Sequence, residues 1–364
     1  MKISIGSKVV DGPWGGGNLF VKNFTKVLNQ NGHEVVYDLK HKDIDGILLT
    51  DPRRREESSS TFNHNDIKNY LNLVNPKTIV VQRINECDER KYTEGINDLY
   101  MEASNIADKV VFVSEWLRNI YLNKGMDIEK TSVILAGADK TIFNRKDIDL
   151  KIDKSNKIKI VTHHWSDNWN KGFDIYKRID DSINMKYFEY DLEFTYIGNI
   201  SENVNFKNTN IVSPLQDKEL ADELKKNHIY ITGSLNEPSG NHHIEAAQCG
   251  LPILYRNSGG IPEYCDGFGL SFDNDVFIKL RLLIKNYDMY VKKLKSYPND
   301  AEEMSLEFLK IFEEKYYETP KIIIKKVKKS DYYLFKSKYN IREYFQIFSL
   351  KKIVKIIFLR LKRK

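Results

Sequence analysis

Cysteine is scarce in this 364-residue chain, and the three present, Cys87, Cys249 and Cys265, are far apart and form no C-x-x-C pair. That odd, scattered set excludes a disulfide framework and a thiolate zinc site, and it fits a reducing compartment. Long apolar runs are lacking too. No stretch approaches the roughly 20 apolar residues that cross a bilayer, so no spanning helix is expected. The opening MKISIGSKVV reads directly as a strand rather than as a signal peptide. There is no internal repeat, no H-E-x-x-H helix and no nucleic-acid recognition motif. These absences leave a cytoplasmic protein, soluble or peripheral on a membrane, with nucleic acid excluded as a partner.

What is present is a globular composition, 41% apolar, in a chain too long for one core, so two domains are expected. The net charge of +6 averages two unlike parts. Residues 321–364 carry 15 Lys and Arg against two acids, Asp331 and Glu343, whereas the first 320 residues carry 42 basic and 49 acidic side chains. A mildly acidic body bears a strongly basic tail.

Along the body, short apolar runs alternate with helical periods. KISIGS, HEVVYDL, DGILLT, KTIVVQ, VVFVS and TSVILAG read as strands. Apolar residues recur at Leu19, Phe20, Phe24, Val27 and Leu28 in a helix ending at Gly32. KIKIVTHH restarts the cycle, followed by LEFTYIG, NIVS, HIYITGS and PILYR. Such alternation predicts two parallel sheets covered on both faces, joined through the polar stretch 145–157. The domains are predicted at 1–150 and 151–318, with a basic amphipathic tail at 319–364. The helical segment 273–318 is expected to close the second domain.

In open parallel sheets ligands gather beyond the carboxyl ends of the strands, and the unusual motifs sit there. NEPSGNHHIEAAQCGLP places Glu237 in the loop after HIYITGS and Glu245 in the first turns of the next helix. The backbone donors around Gly240, Asn241 and His242 open that helix, where free N–H groups and the dipole favour a phosphate. Carboxylates only accept hydrogen bonds, so Glu237 and Glu245 suit the hydroxyls of a sugar and a ribose. Gly15, Gly16 and Gly17 open the first helix of the chain and let its backbone approach a ligand closely.

The run NEPSGNHHIEAAQCGLPILYRNSGGIPEY resembles the signature of the retaining family-4 glycosyltransferases of GT-B fold: an E-P-x-G loop, a second Glu after seven residues, A-x-x-x-G-x-P and then G-G-x-P-E. Looser similarity covers residues 1–320, including VFVSEWLR and LAGADKTIF. The resemblance implies two Rossmann-like domains facing across a cleft, the first holding an acceptor and the second a nucleoside-diphosphate sugar. It implies that Glu237 contacts the donor sugar, Glu245 the ribose, and Lys171 of WNKGFD the diphosphate, with Glu237 and Lys171 catalytic. It also places Gly240, Asn241, His242, Gly259, Gly260, Gly16 and Gly17 at the donor, and Arg83 and Asn85 at the acceptor; Trp14 is a further acceptor candidate, with a packing role as the alternative. The family's companion Arg is missing from THHWSDN; His163 or His164 stands in for it, or the loop backbone does. The implied chemistry is sugar transfer to a hydroxyl of a glycan or lipid-linked acceptor with retention at the anomeric carbon, with no metal and no cofactor.

Blander readings stand beside these. Glu245 alone is a glutamate complementing a helix dipole, and Lys171 alone a solvated loop lysine. His242 and Glu245 are spaced i,i+3 as metal ligands are, yet lack a third, so a surface or loop-packing role suits the histidines better. Two carboxylates also make a glycosidase pair. A non-catalytic sugar-nucleotide-binding or scaffold subunit is the rival for the whole chain. In the tail, Leu350, Ile353, Val354, Ile357 and Leu361 share one helical face and Lys351, Lys352, Lys355 and Lys362 another. That pattern suits residues 321–364 to an anionic membrane surface, the alternative being a helix packed on the body.

Overall fold

The computed structural model describes residues 1–318 and 328–347, apart from 11, 13, 14, 54–58, 147, 149, 150, 153–156, 184, 186 and 187, with side chains in the last helix described to 340. Trp14, much of the joint at 145–157 and the apolar face from Leu350 to Leu361 lie outside the described residues.

Two six-stranded, all-parallel sheets form the molecule. The first contains β1 (Lys2–Ile5), β2 (Glu34–Val36), β3 (Gly46–Leu49), β4 (Ile79–Ile84), β5 (Lys109–Phe112) and β6 (Thr131–Val133), ordered β2-β1-β3-β4-β5-β6. The second contains β7 (Ile158–His164), β8 (Leu192–Gly198), β9 (Asn210–Val212), β10 (Ile229–Thr232), β11 (Ile253–Arg256) and β12 (Gly269–Phe272), ordered β12-β11-β10-β7-β8-β9. Every residue of β3, β4 and β10 is buried, the signature of strands covered on both faces. The covering helices of the first domain are α1 (Gly16–Gln30), α2 (His64–Leu73), α3 (Asp88–Lys91), α4 (Ile96–Ser104) and α5 (Glu115–Asn123). In the second domain they are α6 (Phe173–Ser182), α7 (Asp217–Leu224), α8 (Asn241–Gln248), α9 (Ile261–Cys265), α10 (Val276–Lys285) and α11 (Tyr287–Lys293). The chain then continues into α12 (Ala301–Glu318) and α13 (Lys329–Ile347). No helix of the described residues is long and apolar enough to cross a membrane.

Strand order reverses between β1 and β3 in one sheet and between β7 and β10 in the other. Diverging connections at such a point leave a crevice beyond the carboxyl ends, so the loops after β7 and β10 are brought side by side. They carry Lys171 and Glu237.

The structure departs from the sequence expectation at the end of the chain. Helices α10 and α11 do close the second domain, burying Val276, Leu280, Leu283 and Tyr287 against its sheet. Helix α12 instead crosses back to the first domain. Phe308 meets Phe20 edge-on at 5.0 Å and Phe312 stacks on Phe24 at 6.3 Å, because α1 offers the aromatic surface that matches the apolar face of α12. Gly46 makes room, since a Cβ there would lie 2.7 Å from the Phe312 ring. The start of the basic tail is also docked on this domain: in α13, Phe335 packs edge-on against Tyr70 at 5.6 Å and Tyr332 donates to the Lys40 carbonyl at 2.8 Å. Strand β12, short and half-exposed in its middle, was not anticipated from the sequence.

Helix α9, from the GGIPEY run, fastens the two domains. The Glu263 carboxylate accepts from the Glu115 and Trp116 amides at 2.7 and 2.8 Å, so an acid of the second domain caps α5 of the first. Tyr264 accepts from the Ala136 amide at 3.0 Å and donates to the Val113 carbonyl.

If α12 belongs to the core of the first domain, Phe312→Ala lowers unfolding stability by about 3 to 5 kcal/mol. Leu306→Ala on the exposed face of the same helix changes it by less than about 0.5 kcal/mol. Urea unfolding followed by tyrosine fluorescence compares them; equal, small effects would mean that α12 is not held there.

Candidate functional site

A cavity of about 440 Å³ lies between the domains. Its floor on the second-domain side is built by the loops after β7 and β10 and by the start of α8. After β7 the chain makes a tight turn, Trp169–Lys171, and enters α6 through Gly172. Gly172 has φ 99° and lies directly on Gly233, where a Cβ would come within 2.4 Å of backbone; only glycine fits both demands. This contact sets the Lys171 turn against the loop that carries Glu237. That loop is braced from behind by Gly259, whose would-be Cβ lies 2.5 Å from the Glu237 carbonyl, and by the Gly260 amide, which donates to the same carbonyl at 2.9 Å. Gly259 and Gly260 therefore position the loop and do not line the cavity, in contrast to the donor contact expected of them.

Glu237 is 4% exposed and takes two cations. Lys171 donates to Oε2, and Arg90 Nη2 lies 3.0 Å from Oε1. Burial opposes ionisation of this carboxyl, yet Arg90 and Lys171 overcome it and hold it down at about 2. Burial and Arg90 in turn pull Lys171 below its ordinary value against the attraction of Glu237. Arg90 was not singled out from the sequence. It belongs to α3 of the first domain and is aimed by the second: Asn170 donates to the Arg90 carbonyl at 3.1 Å and Asn236 to the Glu89 carbonyl at 3.0 Å. Behind it, Glu86 accepts from Arg90 at 3.3 Å. The only hint in the sequence was negative: a missing cation beside Lys171 invites a search for one elsewhere.

Each histidine offered for that vacancy has its Nε2 engaged elsewhere. His163 Nε2 lies 2.8 Å from Glu245 Oε2, and His164 Nε2 lies 2.6 Å from the Tyr176 hydroxyl. Both rings still line the cavity. With His242 and His243 they form a buried cluster, His164 and His242 meeting at 4.5 Å and His242 and His243 at 4.8 Å. Burial first, and mutual repulsion with Lys171 nearby, push His164 and His242 well below the usual range and His243 to about 3, so these three imidazoles are neutral at physiological pH. The surface role considered for the histidines does not hold. Among the described residues no group of three His, Cys, Asp or Glu is arranged to hold a metal ion.

Helix α8 has Gly240 (φ 91°) as its N-cap, which supplies no side-chain cap for the first amides, and this end of the helix lines the cavity. Glu245 sits one turn on, at 4% exposure, and lines the cavity with Gly240, Asn241 and His242. Across the gap, Gly16 touches Asn241: a Cβ at Gly16 would lie 2.7 Å from Asn241 Oδ1. Gly16, Gly17, Arg83 and Asn85 line the first-domain side. The structure thus gathers Lys171, Glu237, Glu245, Gly240, Asn241, His242, His163, His164, Gly16, Gly17, Arg83 and Asn85 around one cavity and adds Arg90 to them. Chemically, the second-domain side offers carboxylate acceptors at two places, Lys171 and a helix N-terminus, and the first domain adds the second cation, Arg90.

Residues 192–304, from β8 into α12, match the family of glycosyl transferases group 1. The structure superposes on sucrose-phosphate synthase from Thermosynechococcus elongatus with TM-score 0.60 at 14% identity, covering 86% of this chain and 98% of that one. A glycosyltransferase from Rickettsia africae ESF-5 gives 0.59 at 15% identity, with 86% and 98% covered. HepE of Anabaena, solved with UDP and glucose, gives 0.58 at 12% identity, with 86% and 99% covered. Among curated proteins no sequence matches. At such identities the superpositions show the fold, which is GT-B, and the matched segment supports a glycosyltransferase.

Glu237 titrates in the folded protein at about 2 against an ordinary 4.5, so its pairing stabilises the fold above pH 4.5 and the contribution disappears as pH falls toward 2. Glu237→Gln therefore flattens the loss of stability over that interval. Urea midpoints measured at stepped pH check this; parallel profiles for the two proteins would mean that Glu237 is not held by Arg90 and Lys171.

Proposed function

We propose that the chain is a retaining, metal-independent glycosyltransferase that moves a sugar from a nucleoside-diphosphate donor to a hydroxyl of a glycan or lipid-linked acceptor. One observation carries the reading: two cations from opposite domains meet at Glu237, next to the uncapped N-terminus of α8 and the buried acid Glu245. A donor would lay its diphosphate on the α8 amides and on Lys171 and Arg90, with the ribose hydroxyls on Glu245. The two cations would then leave Glu237 for the phosphates, freeing its carboxylate for hydroxyls of the sugar.

As the glycosidic bond breaks, negative charge grows on the leaving phosphate. Lys171 and Arg90, held in a largely buried site, stabilise that charge more than they stabilise the intact donor, which lowers the barrier. The residue positions support a mechanism in which these groups, with an acceptor hydroxyl aligned from the first domain, suffice without a strong base. The neutral histidines His164 and His242 keep the wall beside the diphosphate free of further charge. The HepE structure contains UDP and glucose, which supports a nucleoside-diphosphate sugar here. On this reading the protein works in the cytoplasm, peripheral on the inner membrane face, with the basic residues of 321–364 toward anionic lipid.

A thermal-shift screen of nucleoside diphosphates tests the donor site, because a ligand of the native state raises apparent stability. At least one should raise the melting temperature of the wild type and leave Lys171→Ala unmoved. With its sugar nucleotide and membranes as acceptor, turnover should persist in EDTA and fall by roughly 10²- to 10³-fold in Lys171→Ala, and NMR of the product should show the anomeric configuration of the donor. Binding without turnover would favour a non-catalytic sugar-nucleotide-binding subunit. Removal of residues 348–364 should abolish sedimentation with phosphatidylglycerol-containing vesicles while leaving the nucleotide response intact; undiminished sedimentation would contradict the membrane assignment.

A further inference from the structure

We propose that the acceptor bears a phosphate ester beside the hydroxyl that receives the sugar, and that Arg83 holds this phosphate; the inference rests on the donor assignment above. Arg83 ends up in the cavity wall near the carboxyl end of β4, at 4% exposure. Its guanidinium lies over the Phe20 ring at 4.2 Å. Nε has no hydrogen-bond partner, and among the described residues no carboxylate pairs with the group. Other arginines have polar partners: Arg145 and Arg178 donate to backbone carbonyls. Arg53, Arg90, Arg118 and Arg256 each hold a carboxylate. Burial without a counter-charge brings Arg83 down to about 10, so it remains a cation at neutral pH. A buried, uncompensated charge is costly to the protein alone and is offset when an anion enters.

The charges around it have one sign. The acids lining the cavity, Asp217, Glu237 and Glu245, are all on the second domain. The first domain contributes Lys8, Lys22, Arg83, Arg90 and Lys91. Arg90 is committed to Glu237 and Glu86, and Lys91 leans on Glu86 at 3.4 Å. Lys8 and Lys22 make no ion pair among the described residues, which leaves them and Arg83 unmatched. The donor's diphosphate is already served by Lys171, Arg90 and the start of α8. The surplus therefore faces the acceptor side, where Asn85 also lies. A planar guanidinium fork in a wall that also carries two ammonium groups matches the several oxygens and the charge of a phosphate better than a lone carboxylate.

The test measures binding by calorimetry to the full-length protein, in the presence of a saturating nucleoside diphosphate chosen from the thermal-shift screen. The probes are sn-glycerol 3-phosphate, glycerate and glycerol, together with dihexanoyl phosphatidylglycerol as dispersed monomer. Glycerol 3-phosphate should bind, and glycerate and glycerol should bind at least about tenfold more weakly. Arg83→Met should weaken glycerol 3-phosphate by roughly 10- to 100-fold, keep the nucleotide-induced shift and raise the melting temperature of the ligand-free protein. Arg83→Lys should recover part of the affinity. The lipid probe distinguishes sources: tighter, Arg83-dependent binding of dihexanoyl phosphatidylglycerol assigns the phosphate to a lipid headgroup, and equal binding assigns it to a soluble or polymeric ester. Glycerate binding as well as glycerol 3-phosphate overturns the phosphate assignment. Unchanged glycerol 3-phosphate affinity in both variants overturns the role of Arg83, whatever their stability. Failure of every nucleoside diphosphate to stabilise the wild type would instead overturn the donor reading beneath it.

Discussion

One buried carboxylate, shared between a lysine of its own domain and an arginine of the other, is the constraint around which this molecule is arranged. Glu237 without cations would be an uncompensated charge at 4% exposure, and removal of water makes such a charge costly. Lys171 and Arg90 remove the cost in the ligand-free protein by attaching to its two oxygens. The arrangement has a consequence for function. Counting Glu86 and Lys91 with them, three cations face two carboxylates, and on the proposed function that surplus of positive charge is what a diphosphate requires. On that reading the same carboxylate is then set free to accept hydrogen bonds from a sugar.

The fold makes this arrangement possible through small, local demands. Reversal of strand order between β7 and β10 brings two loops together at the carboxyl edge of a sheet. Gly172 and Gly233 let them touch backbone to backbone, and Gly259 and Gly260 hold the Glu237 loop from behind. The domains are fixed to one another by the Glu263 cap on α5 and by α12, which leaves the second domain to pack its phenylalanines on α1. Arg90 can reach Glu237 because Asn170 and Asn236 grip the backbone of α3 from across the cleft. The site is thus composite, and its geometry depends on how the two domains meet.

Much of this was legible in the sequence, and the limits follow from physics. Strands such as IVVQRI and IKIVTHH announce themselves by short runs rich in β-branched residues, and Glu237, Gly240 and Glu245 by their spacing along one loop and one helix. Those features depend on neighbours in the chain. Arg90 pairs with a residue 147 positions away, and no local pattern encodes that contact. The apolar face of α12 showed that the helix packs but not on which domain, since an amphipathic stripe has no address. His242 and His243 suited a surface or loop-packing role because polarity alone does not reveal burial, nor that Tyr230 supplies a partner for His242 inside. Arg83 was legible as a residue near the carboxyl end of β4, but its lack of a counter-ion is a property of the assembled cleft.

The most direct measurement is a crystal structure of the protein with a bound nucleoside diphosphate. The account predicts the diphosphate oxygens on Arg90, on Lys171 and on the first amides of α8, with the ribose on Glu245 and the Glu237 carboxylate released from both cations. A diphosphate bound elsewhere, or Arg90 still paired with Glu237 while the nucleotide is in place, would contradict it.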